Sequence, residues 1–459
     1  MILKGLKLSM LIKNYILPKI VLRQLSKPLS GRVASLDFDL VLTVATNIVF
    51  MGLTLISGIL LARVLGANGR GELVAIQIWP MLLATFGHLG MPEAATYFVG
   101  REPRAAGTIF VLVLLIALIS VFPFLLLSYF LLPVFLNAQR YEIIRAAQIF
   151  LLYVPLSFFV AISSQVLQGL QEFRLWNLMR LFNALSVFSG TLLGILYARV
   201  NKPSAEVISY FILAVSGGLA CLFGYLALRR ISGPFTLEVG RLRNMVRYGI
   251  FSVLSNGPRQ LNLRLDQLLM ANMLSSTALG LYAVAASWAY GLSPIIWAVG
   301  GVAFPRISAL PEELQLQMVK KILRQAVLMA ALLGIIQLSI TPLGISLLFG
   351  SEFVSATWVA LILVCAAMVS SVNGVLGYCL HGLGRPQNVL YAELIGLVIT
   401  VLGLSVLLPR FGIMGAALVS LISYTSTLLV LLFQLSYIKG WCGETSMPGT
   451  RYRIVNNRK

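Results

Sequence analysis

From residue 40 to residue 436 the chain is a succession of apolar runs, each close to the roughly 20 residues a helix needs to cross the hydrocarbon of a bilayer. Lipid offers no hydrogen bonds to a bare backbone, so runs of this kind fold as helices whose peptide groups satisfy one another. Of the 459 residues 59% are hydrophobic and 11% charged, too little polar surface to cover a water-soluble globule. The runs predict spans near 40–65, 73–96, 106–132, 146–168, 178–199 and 206–228, then 248–274, 281–304, 324–348, 356–380, 389–408 and 413–436. Segments such as LGANGRGE, RVNKPSAE and HGLGRPQN, rich in Gly, Pro, Asn and Ser, separate them. The fold class is all-α, a polytopic membrane protein of about 12 transmembrane helices, with no room for a large extramembrane domain.

The net charge of +20 would suggest nucleic acid in a soluble chain, but here it follows topology. Of the 35 Lys and Arg, three (Arg63, Arg259 and Arg264) fall within predicted spans. Six (Arg70, Arg140, Arg145, Arg199, Lys202 and Arg410) lie in one set of alternate loops, leaving 26 in the termini and the other set. The positive-inside rule then places both termini in the cytoplasm. Residues 1–36 interleave Lys and Arg with Leu and Ile without the clean apolar core of a signal peptide. They read as a basic amphipathic segment on the anionic leaflet, or as a basic tail that fixes orientation. Residues 437–459 form a second basic cytoplasmic tail. Cys221, Cys365, Cys379 and Cys442 form no CxxC pair, so neither a disulfide framework nor a metal site is expected.

The basic connection at 229–247 divides the spans into two lobes, 37–228 and 248–436. A repeat at an offset of 209 supports the division: Leu65-Gly66 with Gly71 matches Leu274-Ser275 with Gly280. Two six-helix lobes of the same orientation imply a pseudo-twofold axis along the membrane normal and a central cavity between them, an architecture suited to alternating access.

The seventh span, YGIFSVLSNGPRQLNLRLDQLLMANML, concentrates costly residues. A central Arg or Asp there costs roughly 2.5–3.5 kcal/mol, so Arg259, Arg264 and Asp266 should face protein or a wet cavity. Read as one continuous helix, it places Arg259 and Asp266 on one face and turns Arg264 about 140° away. Two readings stay open: arginines that bind a phosphate, with Asn262 beside them and Asp266 as a coupling-ion site, or a structural Arg–Asp pair with a snorkelling Arg259. Arg63, closing the first span, is a cavity candidate or an outer-headgroup anchor. Glu393 is a coupling-ion candidate or an interfacial carboxylate. His88, Glu93 and His381 show no relay spacing. The absence of HExxH, GxSxG, Walker A and DDxxD motifs leaves no catalytic residues and no cofactor expected.

Several stretches resemble the multidrug/oligosaccharidyl-lipid/polysaccharide exporter superfamily, especially its O-antigen and capsule polysaccharide flippases. They are LTVATNIVFMGLTLISGILLARVLGANGRGELVAIQIWP, HLGMPEAATYFVGRE and LNLRLDQLLMANMLSSTALGLYAVAASWAYGLSPI with VAFPRIS. The resemblance covers most of 36–436. It implies a flippase that carries an undecaprenyl-diphosphate-linked oligosaccharide to the outer leaflet of a bacterial inner membrane, with membrane lipids, a polysaccharide polymerase and chain-length machinery as partners. On this reading Arg259 and Arg264 grip the diphosphate and Asp266 occupies the family's acidic position. Rival readings are a cation-coupled drug or metabolite antiporter, a lipid-linked peptidoglycan precursor flippase, a membrane glycosyltransferase or polymerase, and a structural subunit.

Overall fold

A computed structural model describes residues 32–198, 204–308 and 310–441. The amphipathic segment up to residue 31, the basic tail beyond 441, and Arg199 and Lys202 of the fifth loop lie outside the described residues. The chain divides into two compact units, 1–48 and 49–459. In the first, residues 32–48 are helical and Thr46 Oγ1 donates to the Leu42 carbonyl at 2.8 Å. All further architecture described here belongs to the second.

Every regular element among the described residues is helical. In the first half these are α1 (Arg32–Phe86), α2 (Met91–Arg101), α3 (Ala106–Phe135), α4 (Tyr141–Phe150), α5 (Tyr153–Gly169), α6 (Phe173–Arg180), α7 (Phe182–Ala198) and α8 (Ala205–Leu228). The second half holds α9 (Leu242–Asn262), α10 (Leu265–Met273), α11 (Ser276–Ala289), α12 (Ser293–Ser308), α13 (Glu312–Gly344), α14 (Thr357–Gly382) and α15 (Pro386–Trp441). Among the described residues eight stretches, or nine with the bent α6–α7 pair, are long and apolar enough to cross a membrane. At 1.5 Å per residue, the 55-residue α1 and 56-residue α15 would each be about 80 Å long, far more than a bilayer needs. Each is two spans, divided where Gly66 (φ 64°) and Gly412 (φ 54°) enter the left-handed region that favours glycine. With the polar α9–α10 segment as a further span, the twelve expected crossings are accounted for.

Several spans predicted as continuous are broken. The second turns at Gly87–Gly90, where Leu89 and Gly90 have positive φ and α2 restarts with Pro92 in its first turn. The fifth bends by 45° between α6 and α7. The seventh breaks at Leu263–Arg264, five residues after Pro258, through which α9 stays helical. Arg259 and Asp266 therefore stand on different helices.

In the first lobe α5 packs against α2, α3 and α8; in the second α14 packs against α11, α12, α13 and α15. Each of these hubs is the fourth span of its lobe, in keeping with the repeat. One hydrophobic core runs the length of the first lobe, from Ile109 and Leu167 at the cation-rich end to Leu61 at the other, where it continues into the second lobe at Leu279, Phe353 and Ala417. At the cation-rich end the second lobe has its own core around Ile296, Val319, Val375 and Leu431.

The shared end is closed by a contact that obeys the repeat. A Cβ on Gly71 would overlap the Ser276 carbonyl, and one on Gly280 would overlap the Ala67 carbonyl. Ala67 and Ser276, like Gly71 and Gly280, are 209 residues apart, so each lobe presents the same element to the other, as at a twofold interface. Asn68 and Thr277, the next pair at that offset, meet at 3.5 Å. Around them Ser276 Oγ donates to Gln139 Oε1 at 2.6 Å, Gln139 Nε2 donates to the Ala271 carbonyl at 3.1 Å, and Asn272 Nδ2 donates to the Phe135 carbonyl at 3.0 Å. Gly280→Val should open this end, since overpacking a close contact costs about 2 kcal/mol, roughly thirtyfold in the closed-to-open ratio. Spin labels on Ala138 and Val354 should show the longer distance rise in population; an unchanged distribution would deny the contact its sealing role.

Candidate functional site: a two-arginine cavity between the lobes

A cavity of about 360 Å³ opens beneath the seal, walled by the second, fourth and fifth spans of the first lobe. Thr85, Ser157, Ser164, Gln165 and Asn183 give it hydroxyl and amide groups among Met81, Val160 and Phe182. Gln165 is held by Thr96, whose hydroxyl donates to Gln165 Oε1 at 2.7 Å and so leaves the amide N–H groups for other acceptors. Two cations enter this lining: Arg180 from the first lobe and Arg264, which alone among the lining residues comes from the second.

Both arginines occupy gaps in broken spans. Arg180 is the last residue of α6, before the bend into α7, and Arg264 caps the start of α10 after the break from α9. Non-helical backbone at membrane depth is tolerated only against protein or a wet cavity, so the breaks and the polar lining explain one another. Arg180 is braced by the Trp176 ring, 4.8 Å from its guanidinium carbon, and donates to Asn177 Oδ1 at 3.3 Å. An exposed fork from each lobe, lining one space with hydroxyl and amide groups in its wall, suits a ligand with adjacent anionic oxygens.

The other residues singled out from sequence lie elsewhere. Arg259 lies over the Trp297 ring at 5.2 Å and against Gly374, inside the second lobe. Asn262 is buried in a neutral cluster, where it accepts from Thr400 Oγ1 at 2.5 Å and faces Ser423 at 3.4 Å. Asp266 is buried, accepts from the Tyr282 hydroxyl, and caps its own helix through the Gln267 N–H at 2.7 Å. Glu393 is buried in the second lobe, within electrostatic reach of Arg259. Arg63 donates to the Leu348 carbonyl at 2.7 Å and to the Leu347 carbonyl, tying the end of the first span to the second lobe at the sealed end. Glu352 answers from the second lobe by accepting the Ala67 N–H at 3.2 Å, where the helix restarts after Gly66. Sequence reading missed Arg180, which counts among loop cations until the bend after it becomes visible.

At the cation-rich end the lobes touch along α2 and α9. Tyr97 stacks on Tyr248 at 4.4 Å, and Arg241 bonds Glu102 at 2.5 Å and Glu238 at 2.6 Å. The hydrogen bonds that Arg241 donates to Glu102, then to Glu238, hold its guanidinium above its ordinary pKa. These partners are largely exposed, so the bridge contributes about 1 kcal/mol at most.

The architecture is that of a two-lobed helical membrane bundle, joined about a pseudo-twofold axis and enclosing a cavity with polar groups in its wall. The family described as polysaccharide biosynthesis protein matches residues 39–311, more than half of the chain, and the chain belongs to it. It is 27% identical over 282 residues to the uncharacterized membrane protein MJ1068 of Methanocaldococcus jannaschii, covering 59% of this chain and 55% of that protein. It is also 27% identical over 223 residues to Agl15 of Haloferax volcanii, named a probable low-salt glycan biosynthesis flippase, covering 45% and 46%. The chain thus spans about half the length of these two relatives. Its fold matches the lipid II flippase MurJ in an inward closed conformation, with TM-score 0.72, 15% identity and coverage of 86% and 87%. It also matches an inward-facing multidrug resistance MATE transporter, with TM-score 0.62, 14% identity and coverage of 85% and 95%.

The two classes of arginine should separate by experiment. Arg259→Ala removes a half-buried cation–π contact and should cost about 1–2 kcal/mol of stability. Arg264→Gln should leave stability within about 0.5 kcal/mol, as for a substitution at a solvated position. Melting of both variants in detergent checks this, and equal losses would contradict the placement of Arg264 in the cavity.

Proposed function

We propose that the chain flips a polyprenyl-diphosphate-linked oligosaccharide, the undecaprenyl form in a bacterial inner membrane, from the cytoplasmic to the outer leaflet. The observation that carries this reading is the pair Arg180 and Arg264, one from each lobe, facing a cavity whose wall sets hydroxyl and amide groups among Met81, Val160 and Phe182. Two guanidinium forks match a diphosphate, and the neutral groups match sugar hydroxyls. The polyprenyl tail stays in lipid while the head group crosses, because unpaired polar groups in hydrocarbon cost several kcal/mol each.

With the cation-rich end cytoplasmic, the Gly71–Gly280 seal is outer, and the cavity would load from the cytoplasm once the contacts between α2 and α9 part. Rocking of the lobes would break the Gly71–Gly280 contact and close the cavity from below. Of the two coupling candidates Asp266 is better placed, since it follows Arg264 by two residues at the same helix break, whereas Glu393 neighbours Arg259. A polymerase and chain-length machinery would receive the product outside.

The test is the lipid-linked oligosaccharide pool of cells lacking the protein, complemented by wild type or by the Arg180→Gln, Arg264→Gln double variant. Cytoplasm-facing lipid-linked sugar should accumulate at least tenfold in the null and in the variant. An unchanged pool in the null, with altered drug efflux, would overturn the reading in favour of an antiporter.

A further inference from the structure

The cavity-facing stripe of the second span does not end at the cavity. Met81 and Ala84 line it, and at 100° per residue Gln77 and Arg70 fall within about 40° of them on the same helix face. Gln77 lies one turn above Met81, and Arg70 about 10 Å further towards the sealed end, beside Gly71. The helix is continuous from Ala67 to Phe86, so this register holds along the stripe.

These two side chains are in unusual difficulty. Gln77 is only 7% exposed, and its Nε2 is shielded from solvent without a hydrogen-bond partner. Arg70 Nε is likewise shielded and without a partner, and no carboxylate pairs with Arg70 among the described residues. The nearest acid in sequence, Glu72, points elsewhere and is taken by Arg140 at 2.7 Å and by Asn68 at 3.0 Å. A shielded donor with no acceptor costs about 1–3 kcal/mol, and more when charged. Both orphaned atoms are donors, and both stand on the helix face that becomes the cavity wall further down.

We propose that Arg70 and Gln77 form a second, release-side anion subsite, which receives the phosphates of the translocated lipid once the outer seal opens. This rests on the flippase reading and assigns the outward half of its path. Parting the lobes would extend the polar stripe from Thr85 through Gln77 to Arg70, a ladder of donors rising from the loading arginines to the outer mouth. The unmet donors also raise the free energy of the sealed state, so an anion that reaches them favours opening by its differential affinity for the open form.

The test uses the full-length protein in proteoliposomes with a polyprenyl-diphosphate-linked disaccharide, measuring capture at the cytoplasmic face and appearance in the opposite leaflet separately. Arg70→Gln with Gln77→Leu should leave capture within twofold of wild type and slow appearance about tenfold, whereas Arg264→Gln should abolish capture. Arg70→Lys, which keeps the charge without the fork, should fall between. As a readout independent of turnover, a Gln77→Cys thiol should be labelled from outside by an impermeant maleimide at least fivefold faster when substrate is present. Wild-type appearance rates in the Arg70→Gln, Gln77→Leu variant, alongside a defective Arg264→Gln, would overturn the subsite and leave the flippase reading standing. Absence of any capture or transfer by wild type would overturn both.

Discussion

The contact between Gly71 and Gly280 governs the rest of the arrangement. Backbone meets backbone there at a distance no side chain permits, and the carbonyls of Ala67 and Ser276 occupy the space a Cβ would take on the opposite glycine. Because the two elements are copies at an offset of 209, the contact lies on the axis that relates the lobes. Its neighbours are polar or charged groups bonded to backbone atoms of the other lobe: Arg63 to Leu347 and Leu348, Glu352 to Ala67, Gln139 to Ala271. Such bonds are directional and individually modest, about 1 kcal/mol net. A joint of this kind fixes the alignment of the lobes, while the hydrophobic core they share at this end supplies the larger part of what holds them together.

Beneath that joint, the chemistry is set by where helices stop. The bend after Arg180 and the break before Arg264 each free a turn of backbone and turn a long cation into the cavity. Arg259 shows the alternative: on an unbroken stretch of α9, the same residue type is absorbed by Trp297 within the lobe. Position relative to a break, more than the presence of charge in a span, separates the arginines that line the cavity from the one packed within a lobe.

Much of this was legible in the sequence. Apolar runs gave the spans and their number, and the 209-residue offset pointed to the glycines that prove to touch. Arg264 also stood out, since a cation in an apolar run demands a wet or paired environment. What hydropathy does not record is the helix break. A turn at Leu263–Arg264 costs little in composition yet places Arg259, Asn262 and Asp266 in surroundings that a continuous helix would not give them. Arg180 was hidden for the same reason: at the start of the predicted fifth span it counts with the flanking loop cations, and only the 45° bend after it shows that the turn before it belongs to the span. Glu352, Gln139 and Gln77 owe their importance to partners, or the lack of them, across the lobe interface, and no single-chain pattern encodes that.

The most direct test of the central claim, that opening of the pseudo-twofold seal is obligatory for transport, is to lock it. In a protein whose native cysteines are changed to serine, Asn68→Cys with Thr277→Cys would place thiols at the seal, where the native side chains meet at 3.5 Å. Transfer of a polyprenyl-diphosphate-linked disaccharide across proteoliposomes is then measured before and after oxidation. The account predicts that the disulfide stops transfer while capture at the cytoplasmic face persists, and that reduction restores transfer. Undiminished transfer by the fully oxidised protein would contradict it.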